Sequence, residues 1–206
     1  MNYWEGFNQL TTKMVQLIYI NFLWLFFTLV GLGVFGLFPA TTAMFTVIRK
    51  IHLREDIKIS RVFWQSYKSE FLKANRFAAV IVLFLLILYV DFYFVIQVGG
   101  PLEWLFPVFV FLLIAAAVVI AFFFPVYVHF NLKFLQYFKQ AFFIGMKSPL
   151  ELFAMGVILV CMYGVYNVFP GAIPLFAGSI FAYVMTALSI RAFNRIERKK
   201  GGAATE

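Results

Sequence analysis

Few residues of this chain could carry chemistry, and none stands in a catalytic spacing. Asp91, flanked by Tyr89 and Tyr93, is the acidic residue placed inside a long apolar run. A charge there is costly and marks an ion or solute pathway unless it lies close to a membrane surface. Asp91 comes late in its run, where a carboxylate can reach the outer interface. Asn21 and Asn167 also fall within apolar stretches, and their amides suit hydrogen bonds between helices. Thr41, Thr42, Ser179, Thr186 and Ser189 are expected to bond their hydroxyls to their own helix backbone. His52 and His129 are too few to build a zinc site without carboxylates nearby. Cys161, the single cysteine, excludes a disulfide framework and reads as inert packing. The chain holds no G-x-x-x-x-G-K-[ST] phosphate loop, no H-E-x-x-H and no G-x-S-x-G elbow. Intramembrane proteolysis would need paired aspartates, a Ser–His pair or zinc ligands. The expectation is a non-enzymatic protein without cofactor or metal.

The elements that must position these residues follow from composition. Of 206 residues, 64% are hydrophobic and 13% charged, whereas a soluble domain is nearer half apolar and a quarter charged. Runs over 14–38, 77–98, 104–128, 152–168 and 173–190 are long enough to cross a bilayer and must be helices, because lipid satisfies no backbone group. The predicted fold is an all-α polytopic membrane helix bundle, one integral membrane domain over 1–206. In the first run Gly31, Gly33 and Gly36 precede Pro39, a cluster that favours a break. A hairpin would give a span over 14–30 and a short helix over 39–53 that opens at the proline and rises about 20 Å. One long tilted span is the alternative, so the count is five spans or six helices. Gly178, Ala182 and Thr186 form a small-residue face suited to close, internal helix packing.

Charge sets the orientation. The net charge of +8 gathers in clusters between the apolar runs, which suits the anionic inner face of a membrane rather than nucleic acid. Sixteen of the seventeen Lys and Arg residues lie in 39–76, 129–150 or the tail after 190. The positive-inside rule makes these segments cytoplasmic. The hairpin then puts both termini inside, and the five-span alternative puts the N-terminus out. Two of the inner segments read as amphipathic surface helices resting among lipid headgroups. Over 59–76, Phe63, Tyr67, Phe71 and Ala74 share a face opposite Arg61, Gln65, Lys68 and Lys73, and the helix is expected to turn before the next span. Over 131–147, Phe134, Phe138, Ala141 and Phe142 oppose Lys133, Gln136 and Gln140. Residues 63–68 align without gaps to 134–139, which suggests a duplicated unit of surface helix, span, outer turn and span. Arg61, Trp64, Lys68 and Lys73 are the candidate docking residues for a partner. The tryptophans and many tyrosines suit interfacial belts, and their spacing does not by itself point to sugar stacking.

Asn21-Phe22-Leu23-Trp24-Leu25-Phe26-Phe27-Thr28-Leu29, then Leu37-Phe38-Pro39-Ala40-Thr41-Thr42-Ala43-Met44-Phe45 with Arg49-Lys50, resembles the YesL-like family of small bacterial membrane proteins. So does Phe63-Trp64-Gln65-Ser66-Tyr67-Lys68-Ser69-Glu70-Phe71-Leu72-Lys73-Ala74-Asn75. The motifs cover the first 75 or so residues, and the remainder agrees in length and hydropathy. Genes of this family commonly sit beside carbohydrate ABC importers. The resemblance therefore implies a bacterial cell-membrane protein that serves as an accessory subunit, with the lipid bilayer and importer permease subunits as partners. It cannot be an importer's ATPase without the phosphate loop, and it lacks the E-A-A-x-x-x-G loop of a permease half. The family carries no agreed catalytic or binding residues to transfer. An independent small-solute transporter or channel is the alternative.

Overall fold

The computed structural model describes residues 3–98 and 100–202, and every regular element within them is helical. The long helices are α1 (Tyr3–Val30), α2 (Val34–His52), α3 (Ile59–Val98), α4 (Phe106–His129), α5 (Phe134–Lys147), α6 (Pro149–Val168) and α7 (Ile173–Gly202). Short 3-10 turns at Gly100–Leu105 and Pro170–Ala172 join α3 to α4 and α6 to α7. Five helices in the described residues, α1 to α4 and α6, are long and apolar enough to cross a membrane, so this is a multi-pass membrane protein. The apolar run 173–190 forms the first part of α7.

The first apolar run does break. Gly31, Leu32 and Gly33 make the turn, with Leu32 at φ 60° and Gly33 at φ 71°. Glycine is also needed for the close approach of the two arms. A Cβ on Gly31 would lie 2.6 Å from the Tyr67 hydroxyl, and one on Gly36 would lie 2.8 Å from the Phe27 carbonyl. The second helix begins at Val34 instead of 39, because the glycines rather than the proline interrupt the chain. Pro39 sits buried inside α2.

Residues 59–76 do not form a separate helix that turns into the next span. They are the N-terminal half of α3, which runs unbroken for 40 residues, about 60 Å at the α-helical rise. No glycine or proline occurs in it to stop the helix. Its expected apolar face is real: Phe63, Tyr67 and Ala74 are buried while Arg61, Gln65, Lys68 and Lys73 are exposed. That face meets protein rather than headgroups. Phe27 of α1 stacks on Phe63, and the Tyr67 hydroxyl donates to the Phe27 carbonyl at 3.1 Å. The α1–α2 turn and the start of α3 therefore lie side by side.

The second amphipathic segment begins at Phe134, after Gln136 has capped the Lys133 N–H at 3.0 Å. Its buried face is Tyr137, Ala141 and Ile144; of the Phe134, Phe138, Ala141 and Phe142 face read from the sequence, Ala141 is buried, Phe138 and Phe142 are half-buried and Phe134 is exposed. Phe134 is exposed, whereas its aligned counterpart Phe63 is buried. Burial follows the 63-to-134 alignment at the exposed pairs 64/135, 65/136 and 68/139 and departs from it at 63/134, 66/137 and 67/138. The core centres on α2, where Ala40, Ala43, Met44, Val47 and Ile48 are buried against α1, α3, α4 and α7.

Candidate functional site

The fold brings three of the four predicted docking residues, Trp64, Lys68 and Lys73, to a cavity of about 1220 Å³. Three walls are helical. Thr42, Thr46 and Lys50 recur every fourth residue and so line one face of α2. The polar face of α3 supplies Trp64, Lys68, Lys73 and Arg76. The end of α4, the connection after it and the start of α5 supply Tyr127, Asn131 and Tyr137. Phe77, at the start of the apolar run of α3, and Phe134 also line it. Phe77 stacks on Phe134 with ring centroids 4.3 Å apart and meets Tyr127 edge-on at 5.1 Å.

A polar network rigidifies these walls. The Tyr127 hydroxyl donates to one oxygen of Glu70, whose other oxygen lies 3.6 Å from the Lys73 ammonium. Ser66 donates to the Thr46 hydroxyl at 3.2 Å, and Thr46 donates back to the Thr42 carbonyl at 2.9 Å. Tyr137 accepts from the Leu132 N–H at 3.1 Å and donates to the Phe130 carbonyl at 3.3 Å, which fixes the connection. Lys50 is paired with Glu55 at 2.8 Å. Among the described residues, Lys68 and Arg76 form no ion pair. Four cations against one carboxylate leave the cavity electropositive.

Trp64, Lys68 and Lys73 line this cavity, while Arg61 stands exposed on the same helix outside the lining. Asn21, Asp91 and Asn167 do not converge. Asn21 is fully buried between α1 and α7, where Nδ2 donates to the Pro174 carbonyl at 2.7 Å. Its Oδ1 accepts from the N–H groups of Gly178 and Ser179 at 3.0 and 3.1 Å. The expectation of an interhelical bond fails for Asn167, which is exposed and donates to the Tyr163 carbonyl of its own helix at 2.8 Å. It is the penultimate residue of α6 and back-bonds the carbonyl one turn earlier. Asp91 is exposed near the far end of α3.

Other polar residues also differ from expectation. Thr41 does donate to the Leu37 carbonyl, at 2.7 Å, and accepts from the Trp24 indole at 3.0 Å. Among the described residues, the buried hydroxyls of Ser179, Thr186 and Ser189 have no hydrogen-bond partner. Gly178, Ala182 and Thr186 are all buried, so that face is internal. His129 accepts from Arg49 Nε at 3.2 Å, and the His52 ring lies 4.3 Å from that of Tyr183. Among the described residues, no three His, Cys, Asp or Glu side chains gather to hold a metal. Sequence reasoning missed Glu70, Arg76 and Tyr127 as site residues. Glu70 and Lys73 stand at helical i, i+3 spacing and could have been paired, but nothing local ties Tyr127 to residues 57 positions earlier.

The family described as "Protein of unknown function, DUF624" matches over residues 17–92. Three similar proteins come from Bacillus subtilis (strain 168), all with uncharacterized function. YesL is 33% identical over 199 residues, covering 95% of this chain and 93% of the relative. YteU is 31% identical over 194 residues, covering 91% and 85%. YesV is 33% identical over 192 residues, covering 89% of each. No solved structure matches the chain. Similarity at this level, running nearly end to end in both partners, makes the chain a member of the YesL-like (DUF624) family.

Proposed function

We propose that this protein is a non-enzymatic accessory subunit bound to an ABC-type carbohydrate importer in a bacterial cell membrane. The observation that carries this reading is where the exposed groups lie. Arg61, Trp64, Lys68 and Leu72 sit on the stiff, charged half of α3, with Trp64 49% and Leu72 71% exposed. Large apolar side chains among cations on a rigid helix make a contact surface. The importer, rather than another partner, is suggested by the genetic setting of the family. The alternative of an independent carrier has less support, since Asn21, Asp91 and Asn167 lie on three helices without a shared cavity.

In this reading the cation-bearing ends face the cytoplasm and both termini lie inside. Residues 77–98, α4, α6 and the first part of α7 cross the bilayer. The α1–α2 hairpin dips in from the inner face without crossing. Its tip exposes Leu29, Val30, Leu32, Val34 and Phe35, with Leu32 83% exposed, a composition suited to lipid and not to an aqueous surface. Purification in mild detergent should recover importer permease subunits, and Trp64→Ala with Lys68→Glu should reduce that recovery. A solitary protein whose deletion leaves sugar uptake unchanged would reject the assignment.

A further inference from the structure

We propose that the cavity between α2, α3, α4 and α5 binds a phosphate-bearing amphiphile, with its anionic group held by Lys68, Lys73 and Arg76. The inference is independent of the importer reading.

Charge comes first. Glu70 is occupied by Tyr127 and Lys73, and Lys50 is occupied by Glu55. That leaves Lys68 and Arg76 on the α3 wall as cations with no ion pair among the described residues. Lys73, between them, makes only a loose contact with Glu70 at 3.6 Å and is well exposed. An arginine fork and two ammonium groups on one wall are a good match for the oxygens of a phosphate ester. Shape comes second. About 1220 Å³ lies above the usual range of small-ligand pockets and is far more than a free phosphate would fill. Beside the cations of α3 the lining carries apolar groups, Trp64, Phe130, Leu132 and Phe134, of which Trp64 and Phe134 are exposed. A ligand with an anionic head and an apolar body satisfies both kinds of lining. Basic pockets between membrane helices take anionic lipid headgroups by this same logic. A soluble phosphate ester shares the head chemistry and is the other possible source.

The test uses the full-length protein in nanodiscs of phosphatidylcholine containing phosphatidylglycerol, with the retained lipids counted by native mass spectrometry. Wild type should retain phosphatidylglycerol at least tenfold over phosphatidylcholine. Lys68→Gln with Arg76→Gln should abolish the preference. Lys139→Gln with Lys147→Gln, which removes equal charge from α5 outside the cavity lining, should leave it intact. In discs of phosphatidylcholine alone, glycerol phosphate and inorganic phosphate are added and thermal stability is read. Stabilisation that vanishes in the Lys68/Arg76 variant, without lipid retention, assigns the site to a soluble ester. The proposal is overturned if wild type neither retains anionic lipid nor responds to phosphate esters. It is equally overturned if the Lys139/Lys147 variant loses as much as the cavity variant.

Discussion

Replacing Asn21 with alanine removes three hydrogen bonds, at 2.7, 3.0 and 3.1 Å, from a fully buried contact between α1 and α7. Interhelical hydrogen bonds in membrane proteins average about 0.6 kcal/mol and reach about 1.7 kcal/mol, so the three together contribute about 2–5 kcal/mol. One offset is available. The Pro174 carbonyl and the Gly178 N–H are four residues apart, the two ends of one α-helical rung, and can close on each other once the amide is gone. The net loss is then about 2–3 kcal/mol, which for a chain of this size lowers Tm by about 4–12 °C. Asn21→Asp should fall at least as far, because it keeps the acceptor but sets a carboxylate oxygen against the Pro174 carbonyl. Asn167→Ala is the control. Its single bond lies within its own exposed helix end, and such surface changes cost about 0.5 kcal/mol or less. The assay is the fraction of detergent-solubilised protein that remains monodisperse after heating. The reasoning fails if Asn21→Ala unfolds within about 1 °C of wild type, or if Asn167→Ala matches it.

Gly36→Ala should destabilise by about 1–3 kcal/mol, because the new methyl presses into the Thr28 and Phe27 carbonyls where the hairpin arms cross; the same heating assay reads it, and an unchanged Tm would mean that the arms can separate freely. In a Cys161→Ala background, made necessary by the exposed native thiol, Leu32→Cys should resist a membrane-impermeant maleimide added to intact cells, whereas labelling would place the hairpin tip outside. Lys68→Cys in the same background should react only after the cells are opened, and reaction in intact cells would invert the orientation. Tyr127→Phe deletes the hydroxyl donated to Glu70 and should cost about 1–2 kcal/mol, since bonds to charged groups are the stronger ones; no change in Tm would show that water from the cavity replaces it fully.

What could be read from the sequence was local. The apolar runs had to become helices, and Gly31 and Gly33 marked the one place where the first run turns. The polar face of α3 was legible for the same reason: helical spacing separates Arg61, Gln65, Lys68 and Lys73 from Phe63, Tyr67 and Ala74 whatever lies opposite. On α5 that signal was right for Ala141 and missed Tyr137 and Ile144, because aromatic residues stand on adjacent faces. Phe134 and Phe138 repeat with the same period as Tyr137 and Ile144. The contest is settled by partners outside α5, through Tyr137 bonding the preceding connection and packing 4.9 Å from Tyr127.

Long-range pairing left no such mark, and the bilayer explains why. In water, an apolar face identifies the core because the opposite face must be wetted. In lipid, the surroundings are as apolar as a leucine side chain, so grease carries no information about which neighbour it meets. In α6 Met155 is the one buried residue, with 6% of the helix's apolar window buried, while half of the α2 window is buried. Polarity is the better guide within such a bundle. The α2 helix carries Thr41, Thr42 and Thr46, two of which back-bond their own turn, and it can tolerate these hydroxyls because protein surrounds it. Asn21, the polar side chain in the middle of α1, marks the contact with α7 for the same reason. Polar groups at helix ends, such as Asn167, meet their needs locally and mark nothing. Depth along the helix, more than residue type, therefore separates an intramembrane amide that holds two helices together from one that only finishes its own.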